Sequence, residues 1–428
     1  MSYVNKIMTL ADSASLRHIE HVACLRCKSC GKKYSLGIQS SCNDCFGPLE
    51  VVYNDDVVSE YFRKETIEEG PPNIWRYWPL LPSDRESGLN GLNPGMTPLR
   101  DCRNLARFIG IKRIFVKDDT VNPTYSFKDR PVAVSVPKAI ELGLKRVGCA
   151  STGNLAGATA AAAAKYALSC YVFVPRGLPQ TKLLATSIYG AGIIEVEGSY
   201  DNANRIANLV ADRLSIGLVN INLRPYYVEG SKTLAFEVVE QLKWEEPDRI
   251  IVPMGSGALL TAVHRGLNEL RKYGLSTGSA SVCGTQPARC APISSAFSNG
   301  EDILPVERPE TVAESLAIGD PASGGEAIEA IRKTGGFADA PSDEEIIEGQ
   351  LLLAREEGIF SEPAGGTVIA SLKRKVEDGS IASDETVVCL ITGNGLKATS
   401  HLKFSQYPVV AAPQEAISAI ETMEGRRW

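Results

Sequence analysis

The chain has 428 residues, 44% hydrophobic and 22% charged, with 45 Lys+Arg against 51 Asp+Glu and a net charge of −6. This is ordinary globular usage, so it excludes disordered, collagen-like and coiled-coil chains. A mildly acidic balance without basic runs also speaks against a nucleic-acid binder. At roughly 150 residues per domain, two or three domains are expected. No apolar run approaches the ~18 residues of a membrane span. The N-terminal stretch MSYVNKIMTLADSASLRHIEH lacks a basic start followed by an apolar run, so no signal peptide is expected. Eleven cysteines, an odd number in a long chain, point to reduced thiols or metal ligands and to the cytoplasm.

Five of those cysteines fall within residues 24–45. Two pairs there, Cys27 with Cys30 and Cys42 with Cys45, have CxxC spacing and predict two knuckles. Four thiolates so placed suit one tetrahedral, structural Zn2+. Gly31 and Gly47 suit the left-handed turns that knuckles make. A segment this small draws its folding energy from the metal. Cys24 lies outside the symmetrical pairing and is left out. A cluster of buried free thiols is the plainer alternative.

Residues 51–95, with five prolines, read as a connector. From about Lys112, short β-branched runs alternate with helical stretches, the pattern of parallel sheets with crossover helices. Strands are expected at 113–118, 146–151, 170–175, 193–198, 218–222, 249–255, 281–286 and 386–393. Helices are expected at 155–168, 200–214, 231–244 and 342–358. Pro131 and Pro137 predict a kink or a late start in the helix after Ser126.

Ligands of a parallel α/β sheet collect at the carboxyl ends of its strands. After the 113–118 strand comes NPTYSFKDR. Its Lys128 gains nothing from a helix N-terminus. Desolvated, such an amine has a lowered pKa and forms Schiff bases with carbonyl cofactors; an exposed lysine is the plainer alternative. After the 146–151 strand comes Ser151-Thr152-Gly153-Asn154, an anion pocket or a simple capping turn. GSGALL, from Gly255, lets backbone N–H groups converge on one phosphate. It lacks the third glycine of a dinucleotide loop and the lysine of a Walker loop. TGNGLK, from Thr392, offers a hydroxyl to a ring nitrogen. The four histidines, His18, His21, His264 and His401, have no nucleophile partner in a strand-end loop.

In this order, CKSCGKKY, CNDCFGPLEVVY, GMTPL, NPTYSFKDR, ASTGNLAGA, EGSKTLAFEVVEQL, VPMGSGALL, ESLAIGDP, GIFSEPAGG and ITGNGLK resemble threonine synthase, a fold-type II pyridoxal-phosphate (PLP) enzyme. The resemblance runs along nearly the whole chain. It implies an α/β, tryptophan synthase β-like fold. Two open parallel-sheet domains would follow a small N-terminal zinc ribbon. Residues 1–60 would be the ribbon and 61–428 the catalytic region, with a smaller domain at about 144–223 inserted into the larger. Lys128 would hold pyridoxal 5'-phosphate and shuttle protons. Asn154 would meet the 3'-oxygen. Gly255, Ser256, Gly257, Ala258 and Leu259 would bind its phosphate, and Thr392 would face its ring nitrogen. The implied reaction takes O-phospho-L-homoserine and water to L-threonine and phosphate, in a cytoplasmic homodimer. Substrate-binding candidates are Arg130, Ser151, Thr152, Arg224 and Lys232.

Two features depart from the family pattern. Tyr125 stands where many members carry glycine, and Arg224 is displaced from the usual arginine before EGSKT. Both bear on the substrate. The same scaffold also serves cysteate synthase-like enzymes, which use O-phosphoserine and sulfite, and serine/threonine dehydratases. A zinc-ribbon binding protein on a dead scaffold would show no PLP absorbance.

Overall fold

The computed structural model describes residues 21–402 and 408–424, apart from Pro179 and Ser199. All but the last residue of the stretch read for a targeting signal, His18 included, lies outside the described residues. The described residues form two compact units, one ending at Lys397 and the other running from Ala398. The second carries a helix, Pro413–Glu424. The first contains everything that follows.

Its strands are β1 (Val22–Cys27), β2 (Lys33–Tyr34), β3 (Leu49–Tyr53), β4 (Leu99–Asp101), β5 (Arg113–Asp118), β6 (Arg146–Ala150), β7 (Ser169–Pro175), β8 (Gly192–Val196), β9 (Ile216–Leu218), β10 (Arg249–Pro253), β11 (Ser281–Thr285), β12 (Ala338–Asp339) and β13 (Thr386–Ile391). They make three sheets. β2-β1-β3 is antiparallel. β8-β7-β6-β9 is parallel throughout. β12-β11-β10-β13-β5-β4 is parallel except for the antiparallel edge strand β4. This is the parallel α/β architecture that the alternating pattern predicts, divided into the two sheets that the resemblance implies.

The helices that bear on the site are α1 (Asp129–Glu141), α2 (Asn154–Lys165), α3 (Arg224–Ser231), α4 (Thr233–Gln241), α5 (Ala258–Lys272), α6 (Gly324–Lys333) and α7 (Pro363–Glu377). The large sheet is buried on both faces, which is why its strands read as continuous apolar runs. Ile250, Val252, Val388 and Leu390 enter one core cluster. Ile251, Val387, Cys389 and Ile391, alternating with them, enter another. Period-two alternation thus splits one strand between two cores.

Three expectations need correction. α1 starts directly after Lys128 and runs unbroken through both prolines. Pro131 falls in the first turn, where its missing N–H would have no helical partner. The strand expected at 218–222 is Ile216–Leu218, because the Asn222 side chain closes a turn there. Asn222 accepts from Leu218 N at 2.8 Å and donates to Ile216 O at 3.0 Å. Residues 51–95 are no loose connector: Trp75 and Tyr77 are fully buried in the 3-10 helix Ile74–Leu80.

Beneath the site lies a buried ion network. Arg130 meets Asp119 at 2.7 Å and Glu237 at 2.8 Å, and Lys117 meets Glu237 at 2.6 Å. Arg130, Lys117 and Glu237 are all fully buried. Removing one partner strands a buried charge, so Glu237→Gln should cost about 3–5 kcal/mol in the denaturant midpoint at neutral pH. Burial pushes the Glu237 carboxyl up, but Arg130 and Lys117 override it and hold it at about 2. A depressed carboxyl contributes stability above its ordinary 4.5 that is lost as pH falls toward 2. Acid titration of stability should therefore be shallower in Glu237→Gln than in the parent across that window.

Candidate active site

Lys128 sits between the end of β5 and the start of α1. Asp118, which ends β5, accepts from Thr120 N and so starts the short turn Asp119–Val121. Asp129 closes the following loop, accepting from Thr124 N at 2.7 Å and Thr124 Oγ1 at 2.6 Å. Burial pushes that carboxyl up to about 6. The loop is clipped to the segment after β13: Phe127 N donates to Thr392 O at 2.9 Å, and Asn394 N to Tyr125 O at 3.0 Å. Lys397 Nζ donates to Thr124 O at 2.7 Å. β5 and β13 are parallel neighbours, so Lys128 and Thr392 emerge together at their carboxyl ends.

The surroundings of the Lys128 amine are apolar and cationic. Its Nζ lies 4.5 Å from the Phe127 ring centre and 5.9 Å from that of Tyr227. Among the described residues no carboxylate pairs with it. Burial, and then the Arg224 guanidinium, push its pKa down to about 8. Roughly a tenth of such an amine is unprotonated at pH 7, against well under a thousandth at the ordinary value.

Arg224 opens α3 and donates to Ser323 Oγ at 3.1 Å. No described carboxylate pairs with it either. Ser323 N donates to Ser256 O at 2.9 Å, joining Arg224 to the glycine loop. Gly257 there has φ +84°, and a Cβ on it would meet Ser323 O at 2.7 Å. Only glycine meets both demands. Gly257 precedes α5, whose first turn has no side-chain cap. The uncapped N–H groups of Ala258 and Leu259 form a place for an anion.

On the third side, Asn154 opens α2, likewise without a side-chain cap. Its Nδ2 meets both oxygens of Glu362, at 3.0 and 2.9 Å. Glu362 N donates to Gly393 O at 2.8 Å, and Gly393 bridges to Ser126. Asn154, Glu362, Thr392 and Lys128 thus belong to one continuous set of contacts. Ser151 and Thr152 lie half-buried just before Asn154, and Ser151 Oγ accepts from Gly153 N at 3.4 Å.

Two residues named from the sequence are placed elsewhere. Arg130 is neutralised by Asp119 and Glu237. Lys232 is fully buried and held by Glu229 at 2.7 Å and Glu269 at 2.8 Å. Both are structural cations with their charge already matched, and neither is available to a substrate. Two residues escaped the sequence reading. Ser323 gives no signal. Glu362 could have been found: a glutamate directly before a proline that opens a helix is an N-cap position, yet glutamate is not a favoured cap.

The four cysteines converge in the N-terminal sheet. Their Sγ atoms all lie within 4.8 Å of one another. Cys27 and Cys45 are 3.5 Å apart, Cys30 and Cys42 3.7 Å. Tetrahedral thiolates at a Zn–S distance of about 2.3 Å stand roughly 3.8 Å apart. Gly31 takes the left-handed turn at φ +76°. The second knuckle corrects the sequence reading: Phe46, not Gly47, is left-handed, at φ +58°. Gly47 is required for space, since a Cβ there would meet Ser29 Oγ at 2.4 Å. The Tyr34 hydroxyl, 3.0 Å from Cys42 Sγ, helps pull that thiol down to about 6.

A family model described as pyridoxal-phosphate dependent enzyme matches residues 92–393. The threonine synthase of Methanocaldococcus jannaschii is 40% identical over 387 residues, 90% of this chain and 95% of that one. That of Methanosarcina acetivorans is 39% identical over 376 residues, 87% and 92% of the two chains. That of Mycobacterium tuberculosis is 38% identical over 360 residues, 84% and 97%. Among solved structures, threonine deaminase isoform 2 of Solanum lycopersicum superposes with a TM-score of 0.60 at 18% identity, covering 86% of this chain and 88% of that one. Maize serine racemase gives 0.59 at 19%, covering 79% and 99%. These two show the shared fold alone. With a family model over most of the chain and relatives at this identity, the chain belongs to the pyridoxal-phosphate-dependent enzymes and, among them, to the threonine synthases.

Proposed function

We propose that the cleft bounded by Lys128, Asn154, Gly255–Leu259, Arg224 and Thr392 binds pyridoxal 5'-phosphate and converts O-phospho-L-homoserine and water to L-threonine and phosphate. The observation that carries this is the pair Lys128 and Arg224: a lowered-pKa amine beside a guanidinium, both without carboxylate partners among the described residues. Such a pair suits a carbonyl cofactor and a phosphate-bearing substrate.

The residues fit the cofactor. The uncapped start of α5 behind Gly257 suits its phosphate. Asn154 suits its 3'-oxygen, and Thr392, a hydroxyl with no charge, suits an unprotonated ring nitrogen. Ser126 and Ser361 hydroxyls are buried without a partner among the described residues. When bound, the cofactor supplies an electron sink for carbanionic charge. Lys128 removes the Cα proton and then a Cβ proton. Arg224, with Ser151 and Thr152, holds the substrate's anionic groups and stabilises the departing phosphate. Lys128 returns one proton at Cγ before water adds at Cβ, and one at Cα after it. The apolar rings around its amine keep bulk water from competing for those protons.

We also propose one Zn2+ on Cys27, Cys30, Cys42 and Cys45, with a structural role, since four thiolates leave no open position. A cytoplasmic homodimer, divided as residues 1–60 and 61–428 with a smaller domain at about 144–223, completes the reading. None of the eleven cysteines is in a disulfide, which suits that compartment. Among the described residues no helix is long and apolar enough to cross a membrane.

Cofactor uptake by the apoprotein should rise with pH, with its midpoint near pH 8, the Lys128 pKa, and level off above it. Lys128→Ala should lose the visible cofactor band and turnover. Arg224→Ala removes a charge that lowers the amine's pKa, so its uptake midpoint should move to higher pH. A borohydride-trapped adduct on another lysine would sink the assignment.

The parent should release phosphate from O-phospho-L-homoserine far faster than it makes an oxo-acid from free threonine. One charge-assisted contact contributes about 1.5–3 kcal/mol, so Arg224→Ala should lower kcat/KM roughly tenfold or more with the cofactor still bound. Comparable turnover of free threonine by the parent would favour a dehydratase. Phosphate release from O-phosphoserine with sulfite incorporation would favour a cysteate synthase-like enzyme.

Elemental analysis should give about one zinc per chain, the stoichiometry of a four-thiolate site. Cys42→Ser should lose the metal and lower the unfolding midpoint while the visible cofactor band persists. Purified protein with four freely titrating thiols in this lobe and no metal would refute the site.

A further inference from the structure

Glu362 is a buried carboxylate without a contacting cation. It is 6% exposed, and no ion pair reaches it among the described residues. Burial raises its pKa, opposed by the Asn154 amide and by the charge of Lys397. Lys397 itself donates to Thr124 O. Glu362 is the N-cap of α7, but its side chain does not cap that helix. It turns away and takes Asn154 Nδ2 on both oxygens, at 3.0 and 2.9 Å. Room is made for it: a Cβ on Gly393 would lie 2.3 Å from Glu362 Oε2. A buried charge spent on one neutral amide is costly and asks for a reason.

The reason lies in the two ends of a carboxamide. One end of Asn154 accepts hydrogen bonds and the other donates them, and the two are nearly the same shape. A pyridoxal 3'-oxygen requires the donating end. A carboxylate accepts only, so it repels the Asn154 Oδ1 and admits the Nδ2 alone. With Nδ2 nearly equidistant from both oxygens, one N–H serves the carboxylate and the other is free to donate into the cleft. We propose that Glu362 is the positioning residue that fixes the Asn154 carboxamide with its donor end toward the cofactor. This rests on the reading that Asn154 meets the cofactor's 3'-oxygen.

The test is a double-mutant cycle on cofactor affinity, measured by titrating apoprotein with pyridoxal 5'-phosphate and following its absorbance. Glu362→Gln keeps the shape but can present a donor, so it permits the flipped amide. Asn154→Ala should raise Kd about tenfold, the worth of one hydrogen bond to a charged group. Glu362→Gln should raise it by a comparable factor, and the double variant should be no weaker than Asn154→Ala alone. Gly393→Ala, which pushes the carboxylate aside without altering it, should reproduce the Glu362→Gln loss and serves should Glu362→Gln not fold. Thermal unfolding of each apoprotein separates affinity from stability. Multiplicative losses in the double variant, or a lowered unfolding midpoint with Kd unchanged in both Glu362→Gln and Gly393→Ala, would overturn the proposal. An unchanged Kd in Asn154→Ala would instead overturn the cofactor assignment of Asn154.

Discussion

The site depends on one amine being left without a counter-ion. Throughout this unit, buried cations are matched: Arg130 by Asp119 and Glu237, Lys117 by Glu237, Lys232 by Glu229 and Glu269. Burying an unmatched charge is costly, so such matching is the rule. Lys128 and Arg224, half-buried and beside one another, have no such match among the described residues. Desolvation and a like charge both favour the neutral amine, and a neutral amine is the nucleophile. An aspartate near Nζ would restore an ordinary ammonium and remove the reactivity. The nearest carboxylate in sequence, Asp129, is turned to Thr124 and occupied there.

The same partition separates residues that look alike in the sequence. Lys128, Arg130, Arg224 and Lys232 are four basic residues in recognisable motifs. What distinguishes them is their neighbours. Glu237, which neutralises Arg130, lies 107 positions away, and Glu269 lies 37 positions from Lys232. A motif shows that a cation is present; only packing shows whether it is free. This is why a motif marks Lys128 as a candidate but does not show that Arg130 and Lys232 are already matched.

Much of the fold was legible for a related reason. Strands buried on both faces are continuous apolar runs, and eight such runs gave the parallel strands within a few residues. The edge strands of the large sheet were not, because Leu99–Asp101 and Ala338–Asp339 have three and two residues and little to bury. α3 was hidden by the proline at its start and by the glycine near its end, although a proline in the first turn is compatible with a helix. The unusual N-cap glutamate at 362 was legible, but its partner was not, because Asn154 is 208 positions earlier.

The four-cysteine lobe bears on α3, the helix that presents Arg224. Tyr226 Oη both receives from Gly37 N and donates to Gly37 O, at 3.0 Å each. Tyr53, at the end of β3, donates to Glu229 at 2.7 Å. Arg265 joins Glu229 to the backbone of Val51. Cys27, Cys42, Leu49 and Val51 share one apolar cluster with Tyr226 and Tyr227. A sheet of three short strands could not hold those positions by its own core. Cross-linking the two knuckles through one metal would give it the stiffness that its size denies it. The lobe would then act as a brace, fixing the back of a helix whose first residue carries the charge felt by the Lys128 amine.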